Sequence, residues 1–339
     1  MTKPRAWLFL WFIILSGNLL CAQEKDDYYH EEIKEILSAH SKTGMGVMNL
    51  LDTLPQKFKI GSTTLTKGGN KNWSRYIRNP YDIASRLSTT VHETFHSVEG
   101  RLSYHLIVQN HTETFRWGDK YNSYFIDAER PMLVKRTVLY NSNELKDLIP
   151  EELREFRYKL YIADSGNLSS QVHGIYGLME EWNAYYLGNR TGVDLYAYYL
   201  ERAKKKPGDM LKYVSQVGGS YFAYYEFKYF ILKYLENARE NHREVYEAMM
   251  ANSELRRAFT EIDTAFASLI EEFMQSLAQI ETDLATFTDE KVRMRPGILF
   301  IGSGGTGFFQ KEADQFKEAL NDDALKEIEA AFKYRVPDR

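Results

Sequence analysis

Five consecutive residues, His92-Glu93-Thr94-Phe95-His96, carry the first chemical signal in this sequence. Two histidines four positions apart fall on one face of a helix, where both imidazoles can hold one metal ion. The glutamate between them lies beside a water on that ion and can serve as a general base. The lone cysteine, Cys21, belongs to an N-terminal apolar stretch, so a metal centre elsewhere must use histidine and carboxylate, a donor set that suits Zn2+. Zinc held by two histidines needs a third protein ligand and one open position for water.

The element that must position these residues reads as an amphipathic helix. Asn79-Pro80 predicts its cap and first position, and Ile83, Leu87, Val91, Phe95 and Val98 form its apolar stripe. Gly100 predicts its end. His92 and His96 lie off that stripe, on the face of the small residues Ser85 and Thr89, which leave room above a metal. Glu99 is on roughly the same face as His92, as a plain surface charge or as an orienting partner for a ligand.

The third ligand divides the possible classes. The extended pattern HExxHxxGxxH needs Gly at position 99 and His or Asp at 102, and the chain has Glu99 and Leu102. A glutamate from a second helix is the alternative, and the segment from Ser169 or Ser170 to Leu187 reads as that helix. Its apolar stripe is Val172, Ile175, Met179, Trp182 and Tyr186, while Gly174, Gly177, Glu181 and Ala184 form a stripe of small residues around one glutamate. Small residues let two helices approach closely, which favours Glu181 over Glu180, the latter lying nearer His173 on another face.

His92–His96 followed by Glu181-Trp182-Asn183-Ala184 resembles the zincin metallopeptidases of the gluzincin type, in which HExxH is completed by a downstream helix carrying Glu-x-x-Ala. The resemblance covers two short motifs. It implies His92, His96 and Glu181 as zinc ligands and Glu93 as base and proton shuttle for a zinc-bound water. Several such families place Asp directly after the Ala, where this chain has Tyr185. Tyr185 and His173 are the candidates for steadying the oxyanion that peptide hydrolysis generates.

Around these motifs the chain reads as mainly α (α+β): a zincin-like helical catalytic domain with a small β-ribbon or sheet insert at about 103–140. The insert is suggested by β-rich runs at 104–108, 114–117, 123–126 and 133–138. Further helices are predicted over 28–40 and 150–160, through most of 193–285, and near 310–333. No repeat or linker divides residues 24–339, which read as one domain. Tyr221–Phe230 reads as a buried aromatic helix rather than a stacking groove. The run Gly302-Ser303-Gly304-Gly305-Thr306-Gly307 contains GxGxxG but lacks the alternating βα units of a dinucleotide fold, so it is read as a flexible loop near the cleft.

Residues 1–23, with Lys3, Arg5 and the apolar run Ala6 to Leu15, read as a secretory signal cleaved near Ala22. Cys21 follows Leu20, where a lipoprotein signal wants a small residue, so a cleaved and unlipidated leader is expected. That implies a secreted or periplasmic protein with no stable membrane span. With 43 Lys and Arg against 47 Asp and Glu there is no cationic surplus for a phosphate backbone, which argues against nucleic acid as a partner. The expected activity is that of an exported zinc metallopeptidase acting on a peptide or protein. Two alternatives stand beside it: an exported helical protein whose motif is structural or coincidental, and a zinc hydrolase for a cell-wall component.

Overall fold

The computed structural model describes residues 29–334, apart from 69–71, 75, 78–81, 112 and 165–166. The expected leader and the Asn79-Pro80 cap lie outside the described residues. The chain is mainly helical with small antiparallel sheets. Helix α1 covers 29–40, and α2, Lys42–Thr53, begins at Ser41, whose side chain accepts the Gly44 N–H at 3.1 Å as an N-cap. A hairpin follows, β1 (Lys57–Ile60) against β2 (Thr63–Thr66).

The long helix α3 spans Leu87–Leu106 and buries Leu87, Val91, Phe95, Val98 and Leu102 on one stripe, as 3.6-residue periodicity requires. Gly100 does not end it. Arg101 and Leu102 beyond the glycine are buried, and Arg101 donates to the Leu51 and Leu54 carbonyls of the preceding helix end, so tertiary packing carries the helix onward. The β-rich reading fails at 104–108, where α3 and a π-helical turn, Ile107–His111, take the chain instead, and at 114–117, which forms turns and irregular backbone. Ile107 is buried there against Ile60 and Phe115, and that packing outweighs local β propensity. The insert proper is one hairpin, β3 (Tyr121–Tyr124) against β4 (Met132–Lys135), with Tyr121 opposite Lys135 and Tyr124 opposite Met132.

Residues 150–160 form short helical turns instead of one helix, with Phe156 at φ 47°. A short helix α4, Ser169–Val172, then breaks at His173-Gly174 before α5, Ile175–Asp194. Gly174 has φ +53°, and a Cβ there would lie 2.4 Å from the Tyr140 carbonyl oxygen, so the break requires glycine. Helix α5 is the hub, touching α2, α3, α7 (Asp209–Gly218), α8 (Ala223–Asn241) and α10 (Ser253–Leu284). The short α6 (Tyr196–Ala203) and α9 (Arg243–Ala251) complete the 193–285 stretch.

Tyr221, Phe222, Phe227, Tyr229 and Phe230 are buried, as expected of a core aromatic helix. The C-terminal part adds an antiparallel sheet, β5 (Val292–Arg295), β6 (Ile298–Ile301) and β7 (Gly304–Gly307), then α11 (Gln310–Ala319) and α12 (Asp323–Phe332). The glycine run is thus a β6–β7 hairpin rather than a loop. Among the described residues no helix is long and apolar enough to cross a membrane.

Candidate metal centre

Helices α3 and α5 meet through small residues. A Cβ on Gly188 would sit 2.7 Å from the Ser88 carbonyl oxygen and 3.1 Å from the His92 Cβ, so glycine sets how closely the two helices approach. One turn earlier, the backbone of Ala184 hydrogen-bonds the His92 ring, and a further three residues back stands Glu181. Gly174 and Gly177, which belong to the same sequence stripe, face elsewhere. Gly174 packs on Tyr140 and Tyr234, and Gly177 on the Ser170 backbone.

This approach brings His92, His96 and Glu181 together, each offering one ligand atom within 4.8 Å of the others. His96 Nε2 lies 3.4 Å from His92 Nε2 and 3.4 Å from Glu181 Oε2, and His92 Nε2 lies 3.8 Å from the same oxygen. Zinc–nitrogen and zinc–oxygen bonds of about 2.0–2.2 Å in tetrahedral array separate ligand atoms by roughly 3.3–3.5 Å. Two sides of the triangle, at 3.4 Å, match that spacing, and the third, at 3.8 Å, is slightly longer. Glu181 Oε2 is buried and receives no hydrogen bond, a costly state for a carboxylate that a cation would relieve.

The other side of each imidazole is tied. His96 Nδ1 lies 3.0 Å from Glu180 Oε1, which orients the ring so that Nε2 faces Glu181. Glu180 Oε2 accepts from Asn122 Nδ2 at 3.3 Å, and Asn122 Oδ1 accepts from Arg136 Nε at 2.6 Å. The two adjacent glutamates thus take different places: Glu181 among the ring nitrogens, and Glu180 behind one ring. Burial lowers the His92 pKa well below the ordinary value, helped by the charges of His96 and Arg157. His96 goes the other way, because the carboxylates of Glu180 and Glu181 overcome the opposing effect of burial.

Glu99 is neither a surface charge nor a partner of a histidine. It is buried, accepts the Ser123 N–H at 2.7 Å and the Ser103 hydroxyl at 3.3 Å, and is pushed up to about 8 by burial and then by the charge of Glu180.

Tyr185 packs edge-on to His92 at 4.4 Å between ring centroids, and the Arg157 guanidinium lies 4.2 Å from the centre of its ring. Arg157 is fixed by Glu226, which is fully buried and accepts from Nη1 at 2.8 Å and from the Arg157 backbone N–H at 3.0 Å. Tyr161 also lies against Glu181 and Tyr185; burial, and then the Glu181 charge, hold its hydroxyl far above the ordinary phenol range. Tyr161, Arg157 and Glu226 have no motif spacing relative to His92 or Glu181, and nothing in the sequence marks them as neighbours of the site.

Glu93 and His92 open onto a cleft of about 640 Å3 along the N-terminal half of α3, closed by Tyr185, Gly188 and Asn189 of α5, residues of α7, and Gly305 and Thr306 of β7. Ser85 and Thr89 line it, as their face of the helix predicts. His173 does not reach this cleft. It lines a separate cavity behind His96 with Glu180, Glu99 and Arg136, because the break at Gly174 ends α4 before its axis can continue into α5. Its pKa is lowered by burial and by Arg136. No family model, curated protein or solved structure matches the chain, so the likeness to gluzincins rests on the motif residues themselves.

Proposed function

We propose that the chain is a zinc-dependent hydrolase, and specifically a metallopeptidase, with His92, His96 and Glu181 as the zinc ligands. One observation carries this reading: two imidazole Nε2 atoms and a carboxylate oxygen that accepts no hydrogen bond form a triangle of near-zinc dimensions, and one of its members, His92, lines a cleft beside Glu93. Zinc, when bound, supplies Lewis-acid polarisation of a carbonyl and a lowered pKa for water. The chain's own groups do the rest. Glu93, one residue from His92 and open to the cleft, takes the proton of the attacking water and returns it to the leaving nitrogen.

Glu180 and the Ala184 backbone hold the rings so that both Nε2 atoms point inward. In this reading Tyr185, whose ring packs on His92 and on Arg157, donates to the developing oxyanion. His173, in the other cavity, takes no part in this step. Hydrolysis of an unfolded protein by the zinc-loaded chain, compared with its Glu93→Gln variant, tests the reading. The expected result is cleavage by the wild type and at least a hundredfold loss in the variant with zinc retained; equal rates would contradict it.

A further inference from the structure

Resting on the peptidase reading, we infer that the cleft accepts small polar residues beside the scissile bond and discriminates against large apolar ones. The cleft that holds His92 and Glu93 is lined by the hydroxyl and amide side chains of Ser88, Thr89, Asn189, Ser215, Gln216 and Ser220, together with the charged Asp82, Arg86 and Lys212 and the Tyr185 ring. Glycines at 188, 219 and 305 add no side chain at all, and Leu211 is the one aliphatic side chain larger than a methyl on the lining. This composition differs from the predominantly apolar lining of most small-molecule pockets.

Some of these polar groups are mutually satisfied, since the Ser220 hydroxyl donates to Asn189 Oδ1 at 2.6 Å and Asn189 Nδ2 donates to the Ser220 carbonyl at 3.3 Å. Others are loosely held. The Gln216 amide reaches only the Gly192 carbonyl, at 3.5 Å, and its own oxygen has no partner. A leucine or phenylalanine pressed against this wall would strip water from hydroxyls and amides without replacing the lost hydrogen bonds. A serine, threonine or asparagine replaces them, and glycine or alanine leaves the water in place. The hairpin of β6 and β7, with Thr306 on the cleft, adds to the same polar rim.

The experiment is a digest of an unfolded protein by the zinc-loaded chain, with cleavage sites read by mass spectrometry and normalised to residue abundance. Gly, Ala, Ser, Thr and Asn should flank the cut about tenfold more often than Leu, Ile, Phe and Trp, the scale of discrimination a pocket of this kind supports. Gln216→Leu and Thr89→Leu, both on the wall and neither in the ligand group, should move the profile toward apolar residues at least threefold without changing zinc content. Sites dominated by Leu or Phe in the wild type, or an unchanged profile in both folded variants, would overturn the inference while leaving the peptidase reading intact. A chain that holds zinc yet cuts nowhere would overturn the peptidase reading, and the inference with it.

Discussion

Lys228 of α8, Asp263 of α10, and Glu329 and Lys333 at α12 bring two ammonium groups against two carboxylates, whereas His92, His96 and Glu181 bring a carboxylate oxygen against two ring nitrogens with no donor hydrogen-bonded to it. In the first cluster every contact is matched: Lys228 lies 2.9 Å from Asp263 and 2.7 Å from Glu329, Lys333 lies 2.8 Å and 2.7 Å from the same pair, and the Tyr224 hydroxyl donates to Asp263 at 2.9 Å. That cluster is closed and ties three helices together. The second is held from behind by Glu180 and Ala184 and left open in front. The difference separates a charge cluster closed on itself from one that, on the proposed reading, is completed by a metal.

The strongest way to break this comparison is to remove catalysis without touching either cluster's packing. Glu93→Gln should cost at least a hundredfold in peptide hydrolysis with zinc content and melting temperature unchanged, as rate assays, metal analysis and calorimetry would show. Next in size, Asp263→Ala should cost about 1.5–3 kcal/mol of unfolding free energy in urea melts, because it removes the charged hydrogen bonds of Lys228, Lys333 and Tyr224 to one carboxylate while Glu329 stays beside both ammonium groups. Glu181→Ala in the zinc-free chain should cost less, about 1 kcal/mol, since its Oε2 accepts no hydrogen bond and only its attraction to the His96 ring is lost. Equal penalties for the two would erase the distinction.

The Asp263 penalty should also depend on pH. Its carboxyl is held below the ordinary aspartate range because Lys228 and Lys333 outweigh the opposing effect of burial. A folded pKa below the unfolded value of about 3.9 means stability that is present above that pH and is lost as the pH falls through the folded pKa, so the mutational cost should shrink in strong acid.

Sharpening the comparison takes smaller effects. Glu180→Ala should weaken zinc binding about 10–100-fold without abolishing it, as expected of a carboxylate that orients a ligand rather than being one, and competition with a chelator measures this. Should Glu180→Ala strip the metal while Glu181→Ala retains it, the two glutamates have exchanged roles. The smallest effect concerns Glu99, whose carboxyl is pushed up to about 8. The fold then keeps a proton that the unfolded chain releases, so stability should fall as the pH rises from about 4.5 to 8. Glu99→Gln should flatten that slope in urea midpoints taken at both ends.

Much of the ligand group was legible because helical periodicity is local. His92 and His96 share a face by their spacing, the apolar stripe from Leu87 to Val98 buries as the wheel requires, and Glu181 stands beside the Nε2 atoms of both histidines while Glu180 meets only His96, at Nδ1. The stripe of small residues was right in direction and wrong in detail: Ala184 and Gly188 meet α3, while Gly174 and Gly177 serve the turn that launches α5. What the sequence did not disclose depends on contacts between distant segments. Tyr161 and Arg157 reach the site from an irregular stretch of short turns, Asn122 from a hairpin, and Glu99 is buried because Ser123 of that hairpin covers it. The helix end beyond Gly100 went the same way, since the packing of Arg101 and Leu102 is a tertiary fact.

The most direct test of the open cluster is the zinc content of the purified chain beside its Glu181→Ala variant, measured by inductively coupled plasma mass spectrometry. About one zinc per wild-type chain, lost in a variant that still folds, is the predicted result. No zinc in the wild type even after incubation with the metal, or equal zinc in both proteins, would contradict it.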